Sequence, residues 1–282
     1  MAINAGEIQN KGMEVLLGAT PVRLANGLEW NTSLTWAHNR GKVVALSGNL
    51  QTVLIGSSWN ANVEARVNEP YGVIRGIPFL RDSATGQLIT SGGLLQPGAR
   101  RVMGNIQPDW VGGWSNTLSF KRFVVSALID IHQGGDIFSI SNMFGQYSGV
   151  FASSLMGREA DFDNPGVTVK GIDKKTGQPN TTKVTSEEYF HGLFQLHEPF
   201  IIDNSYWKLR ELRVAYDLPG NWAARVNSRA VNIAFVGRNL FTHANVPNID
   251  PEFSYTTGNF QGMEFAPLPN ARSIGLNLRV TP

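Results

Sequence analysis

Alternation with a period of two runs through this chain in segments of about ten residues, the length of a tilted membrane-crossing strand. In LEWNTSLTWAHN, Leu28, Trp30, Thr32, Leu34 and Trp36 fall on one face, and Glu29, Asn31, Ser33, Thr35 and Ala37 on the other. FKRFVVSALIDIH groups Phe123, Val125, Ala127, Ile129 and Ile131, with a mixed second face of Val124, Ser126, Leu128 and Asp130. RAVNIAFVGRNLF groups Val231, Ile233 and Phe235, and RSIGLNLRVTP sets Ile274, Leu276, Leu278 and Val280 against Gly275, Asn277 and Arg279. Strands of soluble domains usually run about 5–6 residues, whereas about 9–11 are needed to cross hydrocarbon at a tilt of about 45°. The pattern therefore predicts long, two-faced, antiparallel strands.

Connector lengths alternate too. PVRLANG, the junction of Phe120 with Arg122, and the link opened by Pro219 are short. Gly134–Ser205 and Phe241–Ala271 are long and rich in Gly, Pro, Asn and aromatics. Structureless loops of that size are uncommon in compact soluble domains. Short turns at one end and long loops at the other are how outer-membrane barrels are built. About nine strands are expected, those between Val63 and Leu95 being poorly defined by the pattern. An odd number that starts on the long-loop side and ends on the short-turn side does not close as an even-stranded barrel, so the chain reads as the C-terminal part of a larger one.

Composition narrows the alternatives. Charged residues make up 16% against the roughly 25% usual for soluble domains. The net charge is +2 with no long basic run, so nucleic acid is not implied. Absence of cysteine excludes disulfides, thiolate metal sites and a cysteine nucleophile. No run of about 18 apolar residues predicts a membrane helix, and the opening MAINAGEIQNKG lacks the features of a signal peptide. His38, His132, His191, His197 and His243 form no ligand spacing. In GQYSG the serine, Ser148, stands fourth where a nucleophile elbow needs it third. DFDNPG, from Asp161 to Gly166, opens like a calcium loop but has Pro165 at the fifth position and Ile172 at the twelfth, and reads as an acidic turn. Glu187–Glu188 and Asp250/Glu252 read as solvated loop carboxylates. No enzyme, cofactor or metal is expected.

Three blocks appear in a recognisable order: GEIQNKGMEV near the start, GNIQPDWVGGWSNTLSFKRFVVSALIDIHQGGDIF in the middle, and YWKLRELRVAYDLP followed by VNIAFVGRNLFT and NIDPEF. This ordered set resembles the C-terminal part of SusC/RagA-type TonB-dependent outer-membrane receptors. The resemblance implies an all-β fold: a partial transmembrane antiparallel barrel, contributing about nine of about 22 strands, with long extracellular loops. It implies import of oligosaccharides or peptides with a SusD-like lipoprotein, energised by TonB–ExbB–ExbD through an N-terminal plug and TonB box that residues 1–282 do not include. The chain ends in Val280-Thr281-Pro282 rather than in the aromatic residue typical of the family.

On this reading Leu28, Trp30, Leu34, Trp36, Leu212, Val214, Tyr216, Ile274, Leu276, Leu278 and Val280 face lipid. Trp110, Trp114, Phe120, Phe123 and Trp207 join Trp30, Trp36 and Tyr216 near strand ends, as interfacial aromatic girdles would require. Strict alternation along YWKLRELRVAYDL puts Lys208 and Arg210 on the same outward face, at a rim where they would meet anionic lipopolysaccharide. Asn142, Tyr147, Phe151, Asn245, Tyr255, Asn259 and Phe260 are candidate substrate contacts in the loops; the alternative is that they pack the loops together. The competing architecture is a secreted, soluble β-sandwich that binds glycans.

Overall fold

The computed structural model describes residues 6–158, 165–253 and 261–282. Seven strands make its main sheet: β1 (Gly6–Arg23), β2 (Leu28–Leu46), β3 (Trp110–Phe120), β4 (Phe123–Gln133), β5 (Tyr206–Asp217), β6 (Ala230–Ala244) and β7 (Ser273–Thr281). They lie side by side in chain order, every neighbour antiparallel, with β1 and β7 at the two edges. The expected all-β wall forms, with seven strands instead of about nine. Segments around Val63–Leu95 belong to other sheets, chiefly a four-stranded one of Thr52–Ser58, Ala61–Arg66, Val73–Gly76 and Arg101–Asn105. Those strands have 7, 6, 4 and 5 residues, mostly half or less of the wall strands' length.

At one end of the wall the turns are tight. Leu24–Gly27 joins β1 to β2, with Gly27 at φ +87°. Lys121 and Arg122 join β3 to β4, Lys121 taking the left-handed conformation at φ +54°. Pro219 and a short helix, Gly220–Arg225, lead from β5 to β6. At the other end the three long connectors fold onto one another as a cap with its own core. Ala61, Val63 and Ile74 come from the first connector, Phe138, Ile140, Met143, Phe190, Leu193, Leu196 and Phe200 from the second, and Met263 from the third. The second connector, read from sequence as loop, contains helices α1 (Ile140–Tyr147) and α2 (Ser186–Leu193). Glu188 is exposed, as expected, but it is helical and not in a loop: it closes a capping box with Thr185 at the start of α2. At the start of α1, buried Glu264 of the third connector accepts from Ser139 Oγ at 2.5 Å and from the backbone N–H of Ser141 at 3.1 Å.

The two ends of the middle sequence block turn out to be one joint. The Gln107 side chain accepts from the backbone N–H of Gly41 (2.8 Å) and donates to the carbonyls of Gly41 (3.2 Å) and Tyr71 (3.0 Å). Asn105 orders the same turn by accepting from the Gln107 N–H at 3.0 Å, and its own N–H donates to Asp136 at 2.9 Å. Gly134 and Gly135, at φ +75° and +76°, let the chain pass close to Asp109 and Ile106. The GNIQPDW and GGD segments thus bind the first connector to the second at the top of the β3–β4 hairpin. Burial raises the Asp136 carboxyl above its ordinary value, offset in part by the Asn105 N–H.

Ile106 sits where a Cβ on Gly262 would fall, and Gly262 is left-handed at φ +81°. Gly262→Ala is expected to destabilise the cap by about 1–3 kcal/mol through overpacking and backbone strain. Gly18→Ala, in open space on β1, should leave thermal unfolding unchanged. Melting of the two variants in detergent, followed by circular dichroism, compares them.

Candidate functional site

Residues directly opposite in an antiparallel ladder share a face, so the registers trace each face across the wall. One row reads Leu28–Phe120–Phe123–Tyr216–Ile233–Leu278, and the next Trp30–Leu118–Val125–Val214–Phe235–Leu276. Higher up, Leu34–Trp114–Ile129–Leu209–Phe241 and Trp36–Gly112–Ile131–Trp207 lie on the same side. Leu212, Ile274 and Val280 belong to it as well. Thr32 and Asn116 stand opposite each other on this apolar face, and each takes an indole N–H: Trp114 donates to Thr32 at 2.9 Å and Trp30 to Asn116 at 3.1 Å. The opposite face carries Glu29, Asn31 and Ser33 on β2, Ser115, Thr117 and Ser119 on β3, Glu211, Arg213 and Asp217 on β5, and Asn277 and Arg279 on β7.

The alternation breaks once along β5. Leu128 of β4 pairs with Glu211, but the next residue, Ile129, pairs with Leu209, leaving Arg210 as a bulge. Above that extra residue the faces exchange. Lys208 pairs with Asp130 and Tyr206 with His132, on the polar side, while Leu209 and Trp207 continue the apolar one. The rim placement read from strict alternation is therefore corrected for Lys208 and Arg210: both point to the polar face and are taken up by carboxylates. Lys208 is 1% exposed and donates to Asp250 and Glu252, each at 2.6 Å. Arg210 donates to Asp130 at 2.6 Å and forms a fork on Glu252. Asn270 adds its N–H to Asp250 (3.1 Å) and its side chain to Glu252 (3.1 Å). Asp250 and Glu252 are thus not solvated; they clamp both ends of the third connector to the wall. Burial alone would raise the Glu252 carboxyl, but hydrogen bonds and charge from Arg210 and Lys208 hold it at about 2. Asp250 is lowered in the same way, burial being outweighed by Lys208 and two backbone N–H groups.

Two curated relatives from Formosa agariphila match almost the whole chain. TonB-dependent receptor P26 is 26% identical over 304 residues, covering 99% of this chain, and TonB-dependent receptor P3 is 23% identical over 310 residues, covering 98%. Its relatives are TonB-dependent receptors. The chain spans about 29% of their length. Solved structures of the RagAB peptide transporter and of the RagAB peptide importer in its closed-closed state superpose with TM-scores of 0.68 and 0.70 at 16% identity, covering 98% of this chain and 30% of theirs. No protein-family model matches. The resemblance to SusC/RagA-type TonB-linked receptors and the fold it implies are borne out, and the matched relatives are receptors and transporters, not enzymes.

The loop candidates separate. Asn142 is 3% exposed, donates to Ser139 (2.7 Å) and to the Pro247 carbonyl (2.9 Å), and accepts from Asn248 (2.8 Å), so it holds the cap together and has no free group for a substrate. Phe151 packs across Gly145 of α1. Asn245 donates to Asp203 at 2.9 Å. Tyr255, Asn259 and Phe260 lie outside the described residues. Tyr147 alone of the described candidates joins an exposed cluster of rings. It stacks on His191 at 4.1 Å and meets Phe194 at 4.7 Å; Phe194 and Phe144 pack edge-to-face at 5.1 Å, and Trp59 caps both. Phe265 extends the cluster from the third connector. The signal for these missed residues was the (i, i+3) spacing of Phe144/Tyr147 and His191/Phe194, legible only if the segments are helices.

The remaining histidine of note is structural. His197 accepts at Nδ1 from the Ile77 N–H (2.8 Å) and donates from Nε2 to the Trp59 carbonyl (2.8 Å), and burial lowers its pKa, so it stays neutral. Among the described residues no group of His, Asp and Glu is placed to hold a metal.

Lys208→Met is expected to strand Asp250 and Glu252 and to free residues 245–253, a loss of about 3 kcal/mol locally. Faster amide exchange confined to that connector checks it. In the parent protein the Glu252 carboxyl is held below its unfolded value of 4.5, so the anchor is intact above that pH and weakens as pH falls toward about 2. Proteolysis within the connector across that window reads the change.

Proposed function

We propose that the chain is a C-terminal portion of the barrel and extracellular cap of an outer-membrane TonB-dependent transporter that imports oligosaccharides or peptides with a SusD-like lipoprotein. The observation that carries this reading is the pair of faces. The apolar side supplies a continuous band in which the indole N–H groups of Trp114 and Trp30 are satisfied by Thr32 and Asn116, as a solvent without hydrogen-bonding partners favours. In this reading Leu28, Trp30, Leu34, Trp36, Leu212, Val214, Tyr216, Ile274, Leu276, Leu278 and Val280 meet lipid, and the hydroxyls, amides and charges of the other side line a wet lumen. The cap stands outside the cell, and its ring cluster around Tyr147 stacks on the cargo. Between the two cargo classes, likeness to structures described as a peptide transporter favours peptides. Energy from TonB–ExbB–ExbD enters through parts of the receptor beyond these residues. No residue of this chain forms or breaks a covalent bond.

A soluble glycan-binding sandwich would bury the apolar face against a second sheet about 10 Å away. Ile274, Leu276 and Leu278 are instead 65%, 75% and 61% exposed. Leu276→Arg is expected to weaken insertion of the whole gene product into phosphatidylcholine vesicles by about 2–4 kcal/mol, and Asn277→Arg to have little effect. Heat-modifiable migration on gels measures insertion, and equal tolerance at the two neighbours would remove the lipid-facing assignment. For cargo, the Trp59→Ala/Tyr147→Ala double variant should raise the half-saturating peptide concentration for uptake about tenfold, the loss of stacking area, with the maximal rate preserved.

A further inference from the structure

The cations of the wall are treated differently on its two faces. On the polar face four cations are matched: Lys208 and Arg210 by carboxylates, Arg238 by Glu211 at 3.0 Å, and Arg213 by the Asn232 amide at 3.1 Å. On the apolar face, above Trp36, they are not. The β1–β2 register continues the Trp36 row upward as Val15–Trp36, Met13–His38, Lys11–Arg40 and Gln9–Lys42. Lys11 and Arg40 are therefore directly opposite each other, and Lys42 lies two residues further along the same side. Like charges in that relation repel, with Cβ atoms about 4.5–5.5 Å apart. All three side chains are exposed, and among the described residues none has a carboxylate within ion-pair distance.

Beside them lies a concavity of about 860 Å³, lined by Lys11, Arg40 and Lys42 together with Asn68, Gln107 and Asp109. Asp109 is its one carboxylate, and its backbone carbonyl is already engaged by His38. The cationic row begins about 13 Å along the strand above Trp36, four residues at about 3.3 Å each. Below Trp36 the same face is apolar down to Leu28, apart from the Thr32–Asn116 pair that takes the two indole N–H groups.

We infer that Lys11, Arg40 and Lys42 form a binding site for the phosphate headgroup of an anionic outer-leaflet lipid, whose acyl chains run down the apolar face beneath. The inference rests on the outward orientation of that face proposed above and deepens it. An unpaired cross-strand Lys11–Arg40 couple is destabilising by itself and becomes favourable once a phosphate lies between the two side chains. Arg40 supplies planar, bidentate donors and the two lysines supply point charges. An amphiphile fits both parts of the surface at once, which a free anion does not. This is where the wall carries the rim that sequence alternation had assigned to Lys208 and Arg210.

The test uses the whole gene product in detergent, as parent and as the Lys11→Gln/Arg40→Gln/Lys42→Gln variant. Binding is measured to nanodiscs of phosphatidylcholine with and without rough lipopolysaccharide, at low salt. The variant is expected to lose on the order of tenfold in its preference for the anionic discs. An Arg213→Gln control on the polar face should keep that preference, and millimolar inorganic phosphate should not abolish it in the parent. Unchanged preference in the triple variant, or full displacement by inorganic phosphate, overturns the inference. Heat-modifiable migration separates this from failure of the lipid-facing reading. If that reading fails, parent and variant alike do not insert, whereas if only the headgroup site fails, both insert and bind anionic discs equally.

Discussion

One extra residue in β5 governs how charge is distributed in this wall. Without the bulge at Arg210, regular pleating would put Tyr206, Lys208 and Arg210 on the side that carries Leu212, Val214 and Tyr216. With it, two cations turn to the polar face and find three carboxylates, Asp130 on the neighbouring strand and Asp250 and Glu252 on the third connector. Lys208 is almost fully buried by this arrangement. Burial of a lone ammonium would be prohibitive, and burial between two carboxylates at hydrogen-bond distance is tolerable only because donors from Arg210, Tyr206 and Asn270 satisfy the remaining oxygens. The clamp therefore stands or falls as a unit, and it fixes the last long connector against the wall.

The same logic of satisfied polar groups runs through the apolar face. Thr32 and Asn116 look like defects in a greasy row until their partners are seen. Each meets the indole N–H of a tryptophan on the adjoining strand, so both indole donors at that level are paired. Polar residues on one side of the wall hold the connectors, and the two on the other side pair the indole donors beside them.

Much of this was legible in the chain itself. The face of each wall strand follows from alternation, and apart from the upper end of β5 every residue assigned to the apolar side from sequence lies there in the registers. The ordered blocks also pointed to the right relatives, and the structure explains what holds them: Asn105 to Asp136 within the middle block, and YWKLREL to NIDPEF in the last. The misplacement of Lys208 and Arg210 has a specific cause, because a bulge leaves no mark in a period-two pattern and is specified by pairing with Asp130 and Glu252, which are distant in sequence. Helices α1 and α2 were read as loop because each has only eight residues. Such segments are held by packing and caps, here by Glu264 and Thr185, more than by propensity. Asn142 shows the limit for site residues, since an amide in a loop looks the same in sequence whether it faces solvent or closes a buried network.

The cap core draws on all three long connectors, and its central Met263 and the buried carboxylate of Glu264 come from the last of them. Both residues follow β6 in the chain, yet they complete a core whose other members precede β5. This gives the cap a high contact order. The outer surface, ring cluster included, acquires its final shape only after the sixth strand has found its register. The order of assembly is therefore built in: an unfinished wall displays an unfinished cap, and the ring cluster is completed only on a wall that has been threaded nearly to its end.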